Sequence, residues 1–156
     1  MRVRVVAVGR PKGDAAALIA EYERRAARYW KFDALHVDGG GGRGTDGPDQ
    51  VMAAEAERLL SRVPDGFEIV AMTREGKGMS STELSKYLGE HALRSSPGVA
   101  FLIGGAHGLG PEVLRKARRR LSLSSMTLPH DLARMVLAEQ IYRAGTIQRG
   151  EPYHKG

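Results

Sequence analysis

Two short segments concentrate the groups able to do chemistry. The first, Gly104-Gly105-Ala106-His107-Gly108-Leu109-Gly110, follows the apolar run Val99–Ile103 and precedes Pro111. Glycines between a strand and a helix let backbone N–H groups converge on an anion or on the polar edge of a ligand. The same glycines serve the steric needs of a tight turn, and both readings stay open. The spacing is not G-x-G-x-x-G and has no P-loop lysine, so it marks neither a dinucleotide fold nor a nucleoside triphosphatase. The second segment, Ser124 to Pro129, is small and polar and lies beyond a short strand. Loops at the ends of neighbouring strands of a parallel sheet make a cradle for a flat polar ligand.

Between them stand Arg115, Lys116, Arg118, Arg119 and Arg120, five cations in six residues. On a helix opened by Pro111 they would fan outward while Val113, Leu114, Ala117 and Leu121 face in. Guanidinium groups grip phosphates two-pronged, which makes this the best nucleic-acid surface in the chain; a solvated helix back is the alternative. The ending, Gln148 to Gly156, brings an aromatic ring, an imidazole and cations on a flexible end suited to stacking on an exposed nucleotide. His36, His91, His107, His130 and His154 show no paired ligand spacing, so no metal site is expected.

The elements that must position these groups alternate along the chain. Strands are predicted at Arg2–Val8, Phe32–Val37, Phe67–Met72 and Val99–Ile103. Helices are predicted from Ala15 (capped by Asp14) to Tyr29, from Asp49 to Val63, and after a capping box of Ser80 and Glu83. Thr73–Met79 reads as a polar loop, and the glycine-rich tract Asp38–Pro48 as a mobile surface loop. A last helix, capped by Asp131, is expected to end near Ala144, with Glu139 on its apolar stripe beside Leu132, Met135 and Val136. Strand–helix alternation from end to end predicts one α/β domain over 1–156, its mostly parallel sheet covered by helices on both faces.

Composition narrows the function classes. The chain has 156 residues and no cysteine, which excludes disulfide frameworks and thiol catalysis. It lacks both a signal-like leader and an apolar run long enough to span a bilayer, and a cytoplasmic protein without a membrane partner is expected. The net charge of +6 is lopsided: residues 112–156 carry nine Lys/Arg against four Asp/Glu, whereas residues 1–111 carry 15 against 14. An anionic partner meeting the C-terminal third fits that distribution.

Four stretches carry a family resemblance: I-G-G-x-x-G-L at 103–109, S-L-S-x-M-T-L-P-H at 122–130, R-M-V-L-x-E-Q-I-Y-R-A at 134–144, and R-G-E-P-Y-H-K at 149–155. With the opening V-x-A-V-G-R-x-K, they resemble the bacterial large-subunit rRNA pseudouridine N3-methyltransferases, small members of the SPOUT class. The resemblance implies a C-terminal trefoil knot, a topology that general threading rules disfavour. It implies S-adenosyl-L-methionine as cofactor, held by Met72, Gly104 and Leu123, Ser124, Ser125, Met126, Thr127 and Leu128, with Gly105 a close neighbour. It further implies a homodimer with the last helix at or near its interface, and large-subunit rRNA within the assembled ribosome as substrate. His130, Arg134, Tyr153 and His154 are the catalytic candidates, the last two reaching toward the other subunit's cofactor. Arg115, Arg118, Arg119 and Arg120 are the RNA-binding candidates. His130 as a helix cap and Arg134 as a partner for a carboxylate remain alternatives. So do a SPOUT enzyme acting on tRNA or another uridine, and a non-catalytic ribosome-binding factor.

Overall fold

The architecture was obtained as a computed structural model that describes residues 1–41, 44 and 46–155. Five strands form an all-parallel sheet in the order β2-β1-β4-β3-β5: β1 Arg2–Val8, β2 Lys31–Val37, β3 Glu68–Gly78, β4 Gly98–Ile103 and β5 Arg119–Ser122. The helices are α1 Gly13–Ala26, α2 Pro48–Leu60, α3 Ser81–Leu93, α4 Pro111–Lys116 and α5 His130–Gln148.

Alternation along the strands sorts the core into two layers. Val3, Val5, Ala7, Val99, Phe101 and Ile103 pack with Leu84, Leu88, Leu137 and Ile141, so α3 and α5, with α1 beside α5, cover one face. Val6, Val8, Ala100 and Leu102 pack with Ala56, Leu59 and Val113, so α2 and α4 cover the other. The wholly apolar run of β4 follows from this sandwiching, because every residue from Gly98 to Ile103 is buried.

Several elements depart from the sequence-based expectation. The polar stretch after Met72 is strand, not loop: β3 continues to Gly78 by pairing Lys77 and Gly78 with Leu121 and Ser122 of β5, across an irregularity after Met72. The basic helix stops at Lys116; Ala117 turns extended, the Arg118 N–H donates to the Ile69 carbonyl, and Arg119–Ser122 becomes the edge strand. Arginine favours helix locally, but a hydrogen-bonding partner along β3 wins. Helix α1 ends at Ala26 rather than Tyr29, and α2 at Leu60 rather than Val63. Neither Asp14 nor Asp131 caps its helix through its side chain; Asp131 instead accepts from the Lys12 N–H at 3.1 Å. The Ser80–Glu83 capping box forms as expected.

Helix α5 runs past Ala144 to Gln148 because Gly145 lets Tyr29 lie against the helix where a Cβ would collide with its ring. It ends at Gly150 (φ +66°), where the Glu151 N–H reaches back to the Thr146 carbonyl at 2.9 Å. The expected mobile loop at 38–48 lies partly outside the described residues, at Gly42, Arg43 and Thr45.

Candidate functional site

The middle of β3, where its pairing with β5 is interrupted after Met72, and the carboxyl ends of β4 and β5 surround a cleft of about 620 Å³. Its floor and walls come from Met72 to Glu75, Ile103 to Leu109, Leu121, Leu123, Ser124 and Met126 to His130, closed by Leu114 of α4 and Ala133 of α5.

The glycine loop is shaped by close approach. A Cβ on Gly104 would lie 2.6 Å from the Gly108 carbonyl carbon, because the loop folds back on itself through a Gly108 N–H to Gly105 carbonyl bond of 3.0 Å. Gly108 holds φ +83°, a conformation side chains rarely adopt. Behind the loop, Glu55 of α2 is buried, and a Cβ on Gly105 would lie 3.0 Å from its Oε1. Oε2 accepts from the Gly40 N–H at 2.8 Å, whereas Oε1 has no partner among the described residues. One carboxylate therefore sits between the glycine loops that follow β2 and β4.

The serine loop holds itself by local bonds. Ser122 Oγ donates to the Ser124 carbonyl at 2.8 Å, and the Met126 N–H donates to Ser124 Oγ at 2.9 Å, the turn chemistry that short hydroxyl side chains favour. This leaves the Met126 side chain 75% exposed at the rim. Arg74 ties the loop to β3: Nη1 donates to Thr127 Oγ1 at 2.7 Å and Nη2 to Glu75 at 3.3 Å. The Glu75 carboxyl is held below its usual range, first by the Thr73 hydroxyl that donates to it, then by a backbone N–H and Arg74. Thr73, Arg74 and Glu75 are the lining residues that sequence reasoning missed. Their signal was available, since they directly follow a predicted strand at the same sheet end as the glycine loop.

Of the proposed cofactor contacts, Met72, Gly104, Gly105, Leu123, Ser124, Met126, Thr127 and Leu128 line the cleft; Ser125 is exposed beside it. Among the catalytic candidates, His130 lines the cleft as the first residue of α5, its Nε2 3.4 Å from Asp131 Oδ1. Arg134, one turn on, is turned away: it pairs with Glu23 of α1 at 2.8 Å, is almost wholly buried, and its Nη1 finds no partner among the described residues.

Tyr153 and His154 are likewise outside the cleft of their own chain. The tail is docked rather than loose, with the Tyr153 hydroxyl donating to Glu139 at 2.7 Å, its ring edge-on to Tyr142, and Arg143 over its face. His154 Nδ1 lies 3.3 Å from Arg143 Nη1. Burial first, and the Glu139 bond second, push the Tyr153 hydroxyl above the ordinary phenol range. Glu139 is thus paired within the chain, also accepting from Arg143 at 2.8 Å. Along the helix axis this group lies about 14 Å or more from His130.

The five cations do not share one face. Arg115 and Lys116 pair with Glu112 on α4. Arg119 stacks over Tyr87 of α3 at 4.5 Å, on the side where Leu121 is buried. By strand alternation Arg118 and Arg120 project to the other side.

Over residues 1–154 the chain matches the family described as predicted SPOUT methyltransferase. A Gemmatimonas aurantiaca protein named ribosomal RNA large subunit methyltransferase H is 51% identical over 156 residues, covering 99% of this chain and 100% of the relative. A protein of the same name from Limosilactobacillus fermentum is 42% identical over 159 residues, with 99% and 100% covered. Among solved structures, a probable methylase family protein from Haemophilus influenzae Rd KW20 shares the fold at TM-score 0.53 and 15% identity, covering 99% of this chain and 70% of that one.

Proposed function

The chain belongs to the SPOUT methyltransferase family, and from that premise we propose that it methylates large-subunit ribosomal RNA, at N3 of a pseudouridine on the assembled ribosome, using S-adenosyl-L-methionine. Two relatives spanning the whole chain carry the ribosomal RNA methyltransferase name, which favours this substrate over tRNA. The observation that carries the reading is the cleft, where the glycine loop and the serine loop face one hollow walled by Met72, Ile103, Leu121, Leu123 and Leu128. Its volume lies in the range of about 300–1,000 Å³ usual for cofactor sites. Apolar walls with exposed peptide edges suit a flat heterocycle bearing ring nitrogens and an exocyclic amine. A merely RNA-binding factor has no use for such a hollow.

When bound, S-adenosyl-L-methionine supplies a methyl group already activated on a sulfonium. Met72, Gly104, Gly105 and the loop from Leu123 to Leu128 would hold it, with Ser125 at the loop's outer edge. The remaining work is alignment and charge. The chain must place N3 of the base beside the cleft, exclude water, and favour loss of the N3 proton. Two imidazoles line the cleft, His107 and His130, and His130 is the candidate proton acceptor. Arg74 is the guanidinium at the rim, placed to stabilise charge developing on a uracil carbonyl.

Arg134 serves in this reading by locking α5 to α1 through Glu23. The homodimer belongs to the same reading, and exposed Leu18 of α1 and Leu132 of α5 on adjoining helices support it. Tyr153 and His154 would then act across the subunit boundary, since they do not reach the cleft of their own chain. Trefoil threading is part of the proposal too. In support, the chain passes from α4 on one face of the sheet to α5 on the other through the residues that form the cleft wall.

Calorimetry with S-adenosyl-L-methionine tests the cofactor assignment: saturable binding is expected, and no heat at about millimolar cofactor with folded protein would remove the enzyme reading. Mass mapping of modified uridines in ribosomes and tRNA from cells lacking the gene tests the substrate. Loss of a methyl mark from large-subunit rRNA is expected. Loss from tRNA alone would overturn the rRNA assignment.

A further inference from the structure

A second groove, about 430 Å³, lies on the outer side of the sheet edge. It runs between β5 and α3 and is bordered by Lys77, Lys86 and Arg119, with Glu83 and Glu90. Lys77 and Lys86 are exposed, and among the described residues neither is paired with a carboxylate. Glu83 is already engaged by the Ser80 N–H of the capping box. Arg119 is fixed in direction by the Tyr87 ring and by Glu68 at 3.8 Å, yet its side chain stays 49% exposed. Two exposed lysines therefore stand without an ion-pair partner among the described residues, and a third cation, Arg119, is pre-positioned.

The groove is continuous with the cleft. Leu121 lines both, and the extension of β3 divides them: Arg74 and Glu75 face the cleft, Lys77 and Gly78 the groove. At Gly76 the strands touch so closely that a Cβ would lie 2.6 Å from the Arg120 carbonyl. A polyanion leaving the cleft over this edge meets Lys77 first, then Arg119 and Lys86.

We propose that this groove carries the sugar–phosphate backbone flanking the target nucleotide, with Lys77 and Lys86 as phosphate contacts. This deepens the rRNA-methyltransferase reading and rests on it. Cations from β3, β5 and α3 along one groove that shares Leu121 with the cleft fit a single-stranded or looped backbone that must present one base into that cleft.

The test is the salt dependence of binding to purified bacterial ribosomes, from about 50 to 300 mM KCl. Each phosphate contact contributes roughly 0.7–0.9 to the slope of log K against log salt. The double variant K77A/K86A is expected to bind about tenfold more weakly at the low-salt end, with a slope shallower by about 1–2. Its cofactor affinity and Tm should be unchanged, and K77R/K86R should restore binding. A K77A/K86A slope equal to the parent's overturns the groove while leaving the methyltransferase reading intact, as does failure of the arginine pair to rescue. A change in oligomeric state in K77A/K86A would assign the groove to a second copy of the chain and also overturn the proposal. A parent protein without measurable ribosome binding overturns the substrate reading and the groove together.

Discussion

The two ends of the sheet are built on opposite plans. At the amino end, side chains from different elements lock together. Arg4 of β1 grips Asp33 of β2 through two bonds of 2.8 and 2.7 Å and reaches the Arg62 carbonyl beyond α2. Glu68 at the start of β3 accepts from the Tyr87 hydroxyl and faces His91 at 3.3 Å, while His91 Nδ1 meets Ser96 Oγ at 2.9 Å. At the carboxyl end the strands run into Gly9, Gly39 to Gly41 and Gly104 to Gly110, and the glycine and serine loops border the cleft. There the side-chain bonds mostly tie loops to themselves or to backbone: Ser122 and Ser124 within the serine loop, Thr73 and Arg74 to Glu75, Glu55 and Arg58 to the backbone at Gly40, with Arg74 to Thr127 joining β3 to the serine loop. Fixed side-chain networks hold elements in place, whereas exposed peptide groups remain free to bond a ligand. Stability and binding are thus separated by the length of the strands, as expected where ligands meet open parallel sheets.

The largest effect is expected at the carboxyl end. In Gly104→Val the new side chain meets the Gly108 carbonyl, 2.6 Å from the first added carbon, and Leu109 N at 2.9 Å. The loop must shift, at a cost of about 1–3 kcal/mol in stability. Calorimetry should show cofactor Kd raised about 100-fold, equivalent to about 2.7 kcal/mol. Near-parental affinity would mean that the loop does not touch the ligand, and the division between the ends would lose its functional half.

The reciprocal test lies at the amino end. Burial, and then the bond to Glu68, hold the Tyr87 hydroxyl well above the usual phenol range, so it donates at any ordinary pH. Tyr87→Phe removes that donor but leaves Glu68 beside His91 and Arg119. A loss of about 1.5 kcal/mol is expected, which lowers Tm by roughly 3–6 °C for a chain of this size. Cofactor Kd should stay within about twofold. A tenfold change would show that the ends are mechanically coupled.

The same division explains how much could be read without coordinates. Strand β4, sandwiched on both sides, announces itself as an unbroken apolar run, and the Ser80–Glu83 box is a local signal that needs no tertiary context. The glycine and serine loops were legible as a site because backbone-lined sites are written in small residues. The extension of β3 was not: Thr73 to Gly78 is polar with two glycines, and only pairing with β5 makes it strand. Arg119 and Arg120 follow a helix-favouring run, yet the sheet edge takes them. Arg134 and Tyr153 have the side chains expected of an active site, but their partners Glu23 and Glu139 are seen only once α1, α5 and the tail are folded together.

The docked tail gives the smallest test and asks which plan it follows. The raised Tyr153 ionisation means that docking favours the protonated phenol, whereas in the released tail the phenol ionises near about pH 10. The contribution to docking is therefore complete below about pH 10 and is lost as pH rises through the higher docked value. The tyrosinate absorbance difference between the parent and Tyr153→Phe should show Tyr153 titrating after an ordinary phenol. At neutral pH, Tyr153→Phe should destabilise by no more than about 1 kcal/mol, since the site is partly open to solvent. A tail that titrates like a free phenol would be undocked in solution, resembling the loose carboxyl end. Late titration places it with the locked networks, so that reaching a neighbouring subunit would require breaking the Glu139 bond first.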